Sequence, residues 1–270
     1  MKTLIIIILS IIQGATEFLP ISSSGHLVLF YQIFNIQENT IFLSVILHLA
    51  TLLSIVVYYR KELWKLIKHP LCKTTYMLVV STLFSLIIVL FLLPIIEDSF
   101  SGNSLITCFL ITAILLVVGE NLKILSKNSI IDYKNSFNIV NFGYKQAIGM
   151  GIMQGLACFP GISRSGSTMA TGLFLGGEKE SVANYSFLMS LPIVFASLIY
   201  ELYKFIKSPS PIYFSWIEIG IGFIVAFIVG ILSIKLMLKL VKKQKLTWFA
   251  FYLVLLSLFL VLNKGFFHLF

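Results

Sequence analysis

Two short polar segments in an otherwise apolar chain carry the residue types that could do chemistry. In the first, Gln13 and Glu17 stand four residues apart, a spacing that puts both on one face of a helix, where they can bind a cation or position water. Ser22, Ser23, Ser24, Gly25 and His26 follow directly. They supply hydroxyls, flexible backbone and an imidazole able to act as general acid or base. The second segment, Pro160-Gly161-Ile162-Ser163-Arg164-Ser165-Gly166-Ser167-Thr168, reads as an anion cradle. Arg164 suits phosphate because its planar fork donates two parallel hydrogen bonds to phosphate oxygens. A helix beginning near Ser165 would add backbone N–H donors and its positive dipole end. A carboxylate, a candidate nucleophile, a histidine and an arginine suffice for phosphoryl transfer without a Walker-type loop.

The elements that position these residues follow from a repeat. An offset of 141 residues, Gln13 onto Gln154, also places Phe18 on Phe159, Ile21-Ser22 on Ile162-Ser163, and Ser24-Gly25 on Ser165-Gly166. Seven of the thirteen positions from Gln13 to Gly25 coincide. Each copy interrupts apolar sequence with Pro, Gly and Ser, so neither can be one continuous spanning helix, and each reads as a re-entrant helix pair. Three apolar spans follow each copy. An odd number makes the halves run in opposite directions, with the broken helices meeting near the midplane.

Composition sets the solvent: 58% of the 270 residues are hydrophobic and 11% are charged, which places the chain in a bilayer. Runs at Phe42 to Tyr59, Tyr76 to Ile96, Ile217 to Lys239 and Trp248 to Leu262 approach or exceed spanning length. The expected fold is an all-α polytopic membrane protein, an inverted-topology repeat with six full transmembrane helices and two re-entrant helix pairs. It forms one membrane domain over 1–270, with halves of about 1–122 and 145–266 joined by a basic cytoplasmic loop near 123–144. The apolar run Leu4 to Ile12 leads into Gln13-Gly14 rather than a cleavage site, so it is expected to stay in the protein. The formal charge of +9 is explained by the positive-inside rule rather than by nucleic acid, because the basic residues cluster between spans, at Arg60 to Lys73 and Lys239 to Lys245. Both termini are then expected outside.

Close packing of small residues could account for Gly14, Gly155, Gly172 and Gly176. It does not account for Glu17, His26 and Arg164, whose unpaired burial at bilayer depth would cost several kcal/mol. Other polar residues read as structural. His48 fits a hydrogen-bonded packing histidine, Glu120 an inner-boundary residue that reaches water or pairs with Lys123, and Glu178-Lys179-Glu180 a solvated turn. Cys72, Cys108 and Cys158 lack metal-ligand spacing and read as small apolar residues. Tyr58, Tyr59, Trp64, Tyr213, Trp216 and Trp248 fit an interfacial belt.

The run Gln13-Gly-Ala-Thr-Glu17-Phe-Leu-Pro-Ile-Ser-Ser-Ser-Gly-His26 resembles the (Glu/Gln)-x-x-x-Glu motif, with its downstream histidine, of the integral membrane undecaprenyl-diphosphate phosphatases associated with bacitracin resistance. Pro160-Gly-Ile-Ser-Arg164-Ser-Gly-Ser-Thr168 is similar to the same family's Pro-Gly-x-Ser-Arg-Ser-x-x-Thr motif, and length and motif order agree over essentially the whole chain. The resemblance implies hydrolysis of a C55 polyprenyl diphosphate to the monophosphate carrier used in peptidoglycan synthesis. It also implies a bacterial inner-membrane location, a site open to the periplasmic side, and a divalent cation, Mg2+ or Ca2+, held at Glu17 with Gln13. The family's functional positions fall on Gln13, Glu17, Ser23, His26, Ser163, Arg164 and Thr168. With the residues read above, Glu17, Ser23 and His26 are assigned the chemistry and Ser163, Arg164, Ser165 and Thr168 the phosphate. Gln13, Ser22, Ser24, Gly25, Gly161 and Gly166 support them. Gln13 replaces the first carboxylate, which puts a two-carboxylate mechanism in doubt. Two routes stay open: attack by Ser23 with His26 taking its proton, or attack by water activated by Glu17 or His26. The partners expected are the lipid substrate and the bilayer, with a homodimer left open. A flippase using the same cradle without hydrolysis is the chief rival.

Overall fold

In the computed structural model, which describes residues 1–36, 40–99, 104–122, 143–207, 214–243 and 245–264, all regular structure is helical. The first half contributes α1 (Lys2–Thr16), α2 (Ser23–Ile33), α3 (Thr40–Tyr58), α4 (Arg60–Lys68), α5 (Lys73–Ser99) and α6 (Leu105–Asn121). The second contributes α7 (Tyr144–Leu156), α8 (Arg164–Phe174), α9 (Lys179–Lys207), α10 (Trp216–Lys243) and α11 (Thr247–Leu262). Four of these, within α3, α5, α9 and α10, are long and apolar enough to cross a membrane, while α1, α6 and α11 are shorter apolar helices. The 27 residues of α5 extend about 40 Å, more than the hydrocarbon thickness. Much of the joining loop near 123–144, together with Lys123 and Tyr213, lies outside the described residues.

The helices share a buried apolar core that includes Phe18, Phe109 and Phe187, bury small and polar residues where they touch, and leave further large apolar residues on the outside, as a lipid-facing protein does. On α5, Thr74, Ser81 and Ser85 are buried, whereas Leu90 and Phe91 are 62% and 86% exposed. Small residues let α5 and α7 touch closely: a Cβ on Gly151 would lie 2.5 Å from the Ser81 carbonyl oxygen, and Ser85 Oγ donates to the Gly151 carbonyl at 2.8 Å. The same kind of contact joins α1 to α10, where a Cβ on Gly14 would sit 2.8 Å from the Ala226 carbonyl oxygen. Under the 141-residue offset α1 corresponds to α7 and α10 to α5, so these two interfaces are counterparts. The pairs α6 with α11 and α3 with α9 each join a helix to its own counterpart.

Several local expectations change. Arg60–Lys68 is a helix rather than a loop, with Trp64 and Ile67 exposed at 59% and 68% among its lysines, a composition suited to a membrane surface. Tyr59 is buried rather than interfacial, because its hydroxyl donates to Asn184 Oδ1 at 2.7 Å, whereas Trp216 and Trp248 are exposed. Glu120 pairs with Lys179 at 2.6 Å and accepts the Leu246 N–H at 3.0 Å. Glu180 pairs with Lys242. The Glu178-Lys179-Glu180 cluster therefore ties α6, α9 and α10 together instead of being simply solvated.

Candidate active site

Both interrupted segments are helix–turn–helix units. The first breaks between α1 and α2, the second between α7 and α8, and the bounds of α2 and α8 differ by the repeat offset at both ends. Each second helix begins with a serine cap. Ser22 Oγ accepts the Gly25 N–H at 3.3 Å, and Ser163 Oγ accepts the Gly166 N–H at 3.0 Å, satisfying first-turn donors that have no intrahelical acceptor. Ser23 and Arg164 thus occupy the same place, the first residue of α2 and of α8. The two helix N-termini give the shared site a positive potential.

The breaks are bonded to each other. Ser22, held at φ 69°, also accepts the Gly161 N–H at 3.1 Å. Ser165 Oγ donates to the Leu19 carbonyl at 3.0 Å. Thr112 of α6 accepts the Ser163 N–H at 3.0 Å and donates to the Gly161 carbonyl at 3.1 Å. Gly161 has φ +94°, a conformation open to glycine without penalty. A Cβ on Gly25 would meet Gly161 Cα at 2.8 Å and the Phe109 ring at 2.7 Å, so two backbones touch there. Gly25→Ala is expected to overpack this crossing, costing roughly 1–3 kcal/mol. The check is a lower unfolding midpoint in detergent, and an unchanged midpoint would refute the close crossing.

Glu17, in the first break, is the centre of the site and is buried. Oε1 forms an ion pair with Arg164 Nη2. Oε2 accepts from Ser23 Oγ at 2.6 Å and from Gln13 Nε2 at 3.0 Å, and faces His48 Nε2 at 3.7 Å. One carboxylate therefore joins both halves of the chain. Arg164 Nη1 is buried with no hydrogen-bond partner, and so is Gln13 Oε1. A guanidinium with one N–H spent on the carboxylate and another left over is equipped for one more anion.

Other expected site residues are placed differently. His26 Nδ1 lies 2.7 Å from the Ser22 carbonyl, which can only accept, so Nδ1 bears the proton. Nε2 lies 2.7 Å from Tyr252 Oη and therefore accepts from it. The ring stacks on Tyr252 and meets Phe109 edge-on. Both nitrogens are thus used, and the Ser23 hydroxyl is directed to Glu17. Three hydroxyls of the second segment are also engaged, whereas Ser167 Oγ is buried without a partner. Ser165 donates to Leu19, Ser163 caps α8, and Thr168 Oγ1 bonds the Arg164 carbonyl at 2.8 Å and Ser186 Oγ at 2.6 Å. Their observed bonds hold the cradle together, and the Arg164 Nη1 beside them is buried without a partner. Ser24 Oγ sits 3.5 Å from Ser22 Oγ. Tyr252, Thr112 and His48 escape sequence reasoning: Tyr252 is 226 residues from His26, so no local spacing links them, and His48 reads as packing.

Among the described residues no group of three His, Cys, Asp or Glu is arranged to hold a metal. The donors at Glu17 and Gln13 fit a narrower role. The Gln13 Oε1 is unpartnered, while Glu17 is already engaged. Such a pair fits a hard cation that draws most of its oxygen ligands from diphosphate and water.

The fold and site define a polytopic helical membrane protein whose two broken helices close around a buried carboxylate, serine and arginine, the equipment of an anion-handling enzyme. The chain belongs to the family described as bacitracin resistance protein BacA, whose model matches residues 6–259. Similar proteins named undecaprenyl-diphosphatase include that of Methanococcus vannielii, 37% identical over 262 residues, covering 94% of this chain and 98% of its own. That of Thermosipho africanus is 40% identical over 259 residues, covering 93% and 96%. That of Christiangramia forsetii is 38% identical over 267 residues, covering 93% and 94%.

Proposed function

We propose that the chain hydrolyses undecaprenyl diphosphate to undecaprenyl phosphate and inorganic phosphate, with Ser23 as nucleophile. The carrying observation is the Ser23–Glu17–Arg164 arrangement, in which a hydroxyl bonded to a carboxylate stands beside an arginine with an unspent N–H. Family membership supports the substrate. The apolar exterior supports a lipid one, because a C55 chain can stay in the bilayer while its diphosphate reaches the break between the helices.

Arg164 Nη1 and the N-termini of α2 and α8 bind the terminal phosphoryl group and stabilise the charge spread over its oxygens. Ser23 Oγ attacks the terminal phosphorus and its proton passes to Glu17. The bond from that phosphorus to the bridging oxygen breaks, and undecaprenyl phosphate leaves. Glu17 gives the proton up to the departing undecaprenyl phosphate and is a carboxylate again; water then attacks the phosphoserine and gives a proton to Glu17, the Ser23 oxygen leaves and takes that proton back from Glu17, and inorganic phosphate is released. Gln13 and Glu17 would hold a divalent cation, which supplies charge neutralisation on the diphosphate when bound. His26, locked by Ser22 and Tyr252, fixes the start of α2 and so the direction of Ser23.

The same reading includes the finer topology: an inverted-topology repeat of six spans and two re-entrant pairs, with the site open to the periplasmic side of a bacterial inner membrane. The counterpart interfaces α1 with α10 and α7 with α5, and the self-paired counterparts α6 with α11 and α3 with α9, support the two-fold relation between halves.

The test is phosphate release from undecaprenyl diphosphate by the purified protein in detergent, with and without chelator. Release that is lost on chelation is expected. Binding without release would favour a flippase. Arg164→Ala is expected to lower kcat/KM by about 10²- to 10³-fold, the usual loss when a charge-stabilising donor is removed. Arg164→Lys should recover little, since an ammonium cannot bridge carboxylate and phosphate with one planar fork. Unchanged kcat/KM in Arg164→Ala would remove the phosphate clamp.

A further inference from the structure

Between two membrane-spanning helices lies a short one that the candidate site does not use. The apolar part of α3 ends at Tyr58, and α5, the next helix long and apolar enough to cross, begins at Lys73. The nine residues of α4, Arg60–Lys68, are thus tethered at both ends to spans and held near one surface of the bilayer. None of them is buried. From Arg60 to Lys73 the chain carries five Lys or Arg residues against one acid, Glu62.

Helical periodicity sorts these side chains onto separate faces. Leu63 packs against the buried core. Trp64 and Ile67 continue its apolar arc away from the protein and are exposed, as is Leu71 just past the helix. Lys61, Lys65 and Lys68, at spacings of four and three, form a stripe beside Trp64, and Lys68 Nζ lies 5.4 Å from the centre of the Trp64 ring. Among the described residues no carboxylate pairs with these three lysines, whereas Lys179, Lys204 and Lys242 each pair with a glutamate. Arg60 is engaged elsewhere: its Nη1 donates to the Val57 carbonyl at 3.1 Å, near the end of α3. Exposed tryptophan and isoleucine beside cations without carboxylate partners suit the level where hydrocarbon meets headgroups.

We propose that α4 is a docking surface for anionic phospholipids of the surrounding bilayer. Trp64 and Ile67 enter the boundary between headgroups and acyl chains, and Lys61, Lys65 and Lys68 draw acidic headgroups to the stripe beside them. A zwitterionic lipid satisfies the apolar arc but brings no net charge to the lysines, so charge complementarity selects the acidic lipid. A soluble polyanion fits less well, because it offers nothing to Trp64 and Ile67. Each lysine near an anionic membrane surface contributes roughly fivefold to partition. None of these residues takes part in the proposed reaction, so the inference stands whether or not the chain releases phosphate.

The experiment reads which lipid touches Trp64. The full chain carrying Trp216→Phe and Trp248→Phe, so that Trp64 is its sole tryptophan, is reconstituted in phosphatidylcholine vesicles with a minority of phosphatidylglycerol. Bromine, which quenches tryptophan on contact, is placed on the acyl chains of one lipid or the other at constant headgroup composition. Phosphatidylglycerol is expected to quench Trp64 well beyond its share of the bilayer, with a relative preference of about tenfold after partial screening of the three lysines. Lys61→Gln/Lys65→Gln/Lys68→Gln should bring that preference close to unity while Trp64 stays quenched by the two lipids together. Raising salt from about 0.1 M to about 1 M, which shortens the screening length from about 10 Å to about 3 Å, should do the same. The proposal is overturned if neither lipid quenches Trp64, if the two quench in proportion to their abundance, or if the preference survives removal of the lysines or high salt. Should the triple variant fail to insert, Lys61→Gln and Lys65→Gln are measured singly. Each is expected to lower the preference about two- to fivefold, and an unchanged preference in both refutes the assignment.

Discussion

Ser23→Ala is expected to lower kcat for phosphate release by roughly 10⁴-fold or more, the scale seen when an enzyme loses its nucleophile. Binding of the lipid diphosphate should be nearly unchanged, because Arg164 and the two helix N-termini remain. The substitution is structurally mild. Ser23 opens α2 and is not its cap, since Ser22 accepts the Gly25 N–H, and alanine is a good helix former. The unfolding midpoint should therefore stay close to that of the parent, separating loss of chemistry from loss of fold. Rapid quenching of the parent should trap phosphate on Ser23. If Ser23→Ala kept more than about a tenth of parental turnover, well above what nucleophile removal leaves, water would be the attacking group and Glu17 its base.

Glu17→Gln should also be severe, for a different reason, and it should harm the fold as well. Glu17 gathers Arg164, Ser23, Gln13 and His48, so removing its charge leaves Arg164 as a largely buried cation without its partner. Breaking a buried pair by removing one member costs about 3–5 kcal/mol. Losing the base for Ser23 should reduce kcat by about 10²- to 10⁴-fold. The combined expectation is a protein that unfolds at lower temperature and turns over poorly. A Glu17→Gln variant with parental thermal stability would show that the Arg164 pair does not brace the two halves. One with parental kcat would remove Glu17 from the proton path.

The contrast between these variants separates two jobs that meet at one carboxylate. Ser23 can be lost without loosening the joint between the broken helices, whereas in the proposed reaction Glu17 is both reactant and joint. Gln13 illustrates the same economy. Its amide N–H fixes Glu17 while its carbonyl oxygen stays unspent, which a second carboxylate at that position could not do without repulsion.

Much of this was legible in the residues. The offset from Gln13 to Gln154 identified two related breaks, and the breaks are where α1 gives way to α2 and α7 to α8. Arg164 and Glu17 stood out because charge at bilayer depth needs a partner, and each proved to be the other's. Residue type was a poorer guide to which groups remain free. Ser165 and Thr168 looked like phosphate donors, yet Ser165 gives its proton to the Leu19 carbonyl and Thr168 bonds the Arg164 carbonyl and Ser186, while Ser163 accepts the Gly166 N–H. A hydroxyl has one proton to give, and its destination depends on which carbonyl folds next to it.

The two histidines mark the same boundary. His26 follows the serines of the first break and His48 sits in an apolar span, so local sequence favoured His26. The packing of α11 brings Tyr252 onto His26, and the packing of α3 against the first break brings His48 onto Glu17. Sequence by itself determined that the chain lives in a bilayer, that it breaks twice in related places, and that the breaks hold an acid, serines and an arginine, because hydrophobicity, helix breaking and the cost of buried charge are all local properties. Only the tertiary structure decided that Glu17 rather than His26 receives the Ser23 hydroxyl, and that Arg164 and His48 face the same carboxylate. Those partners come from α2, α3 and α8, and geometry across separate helices is set by how they pack.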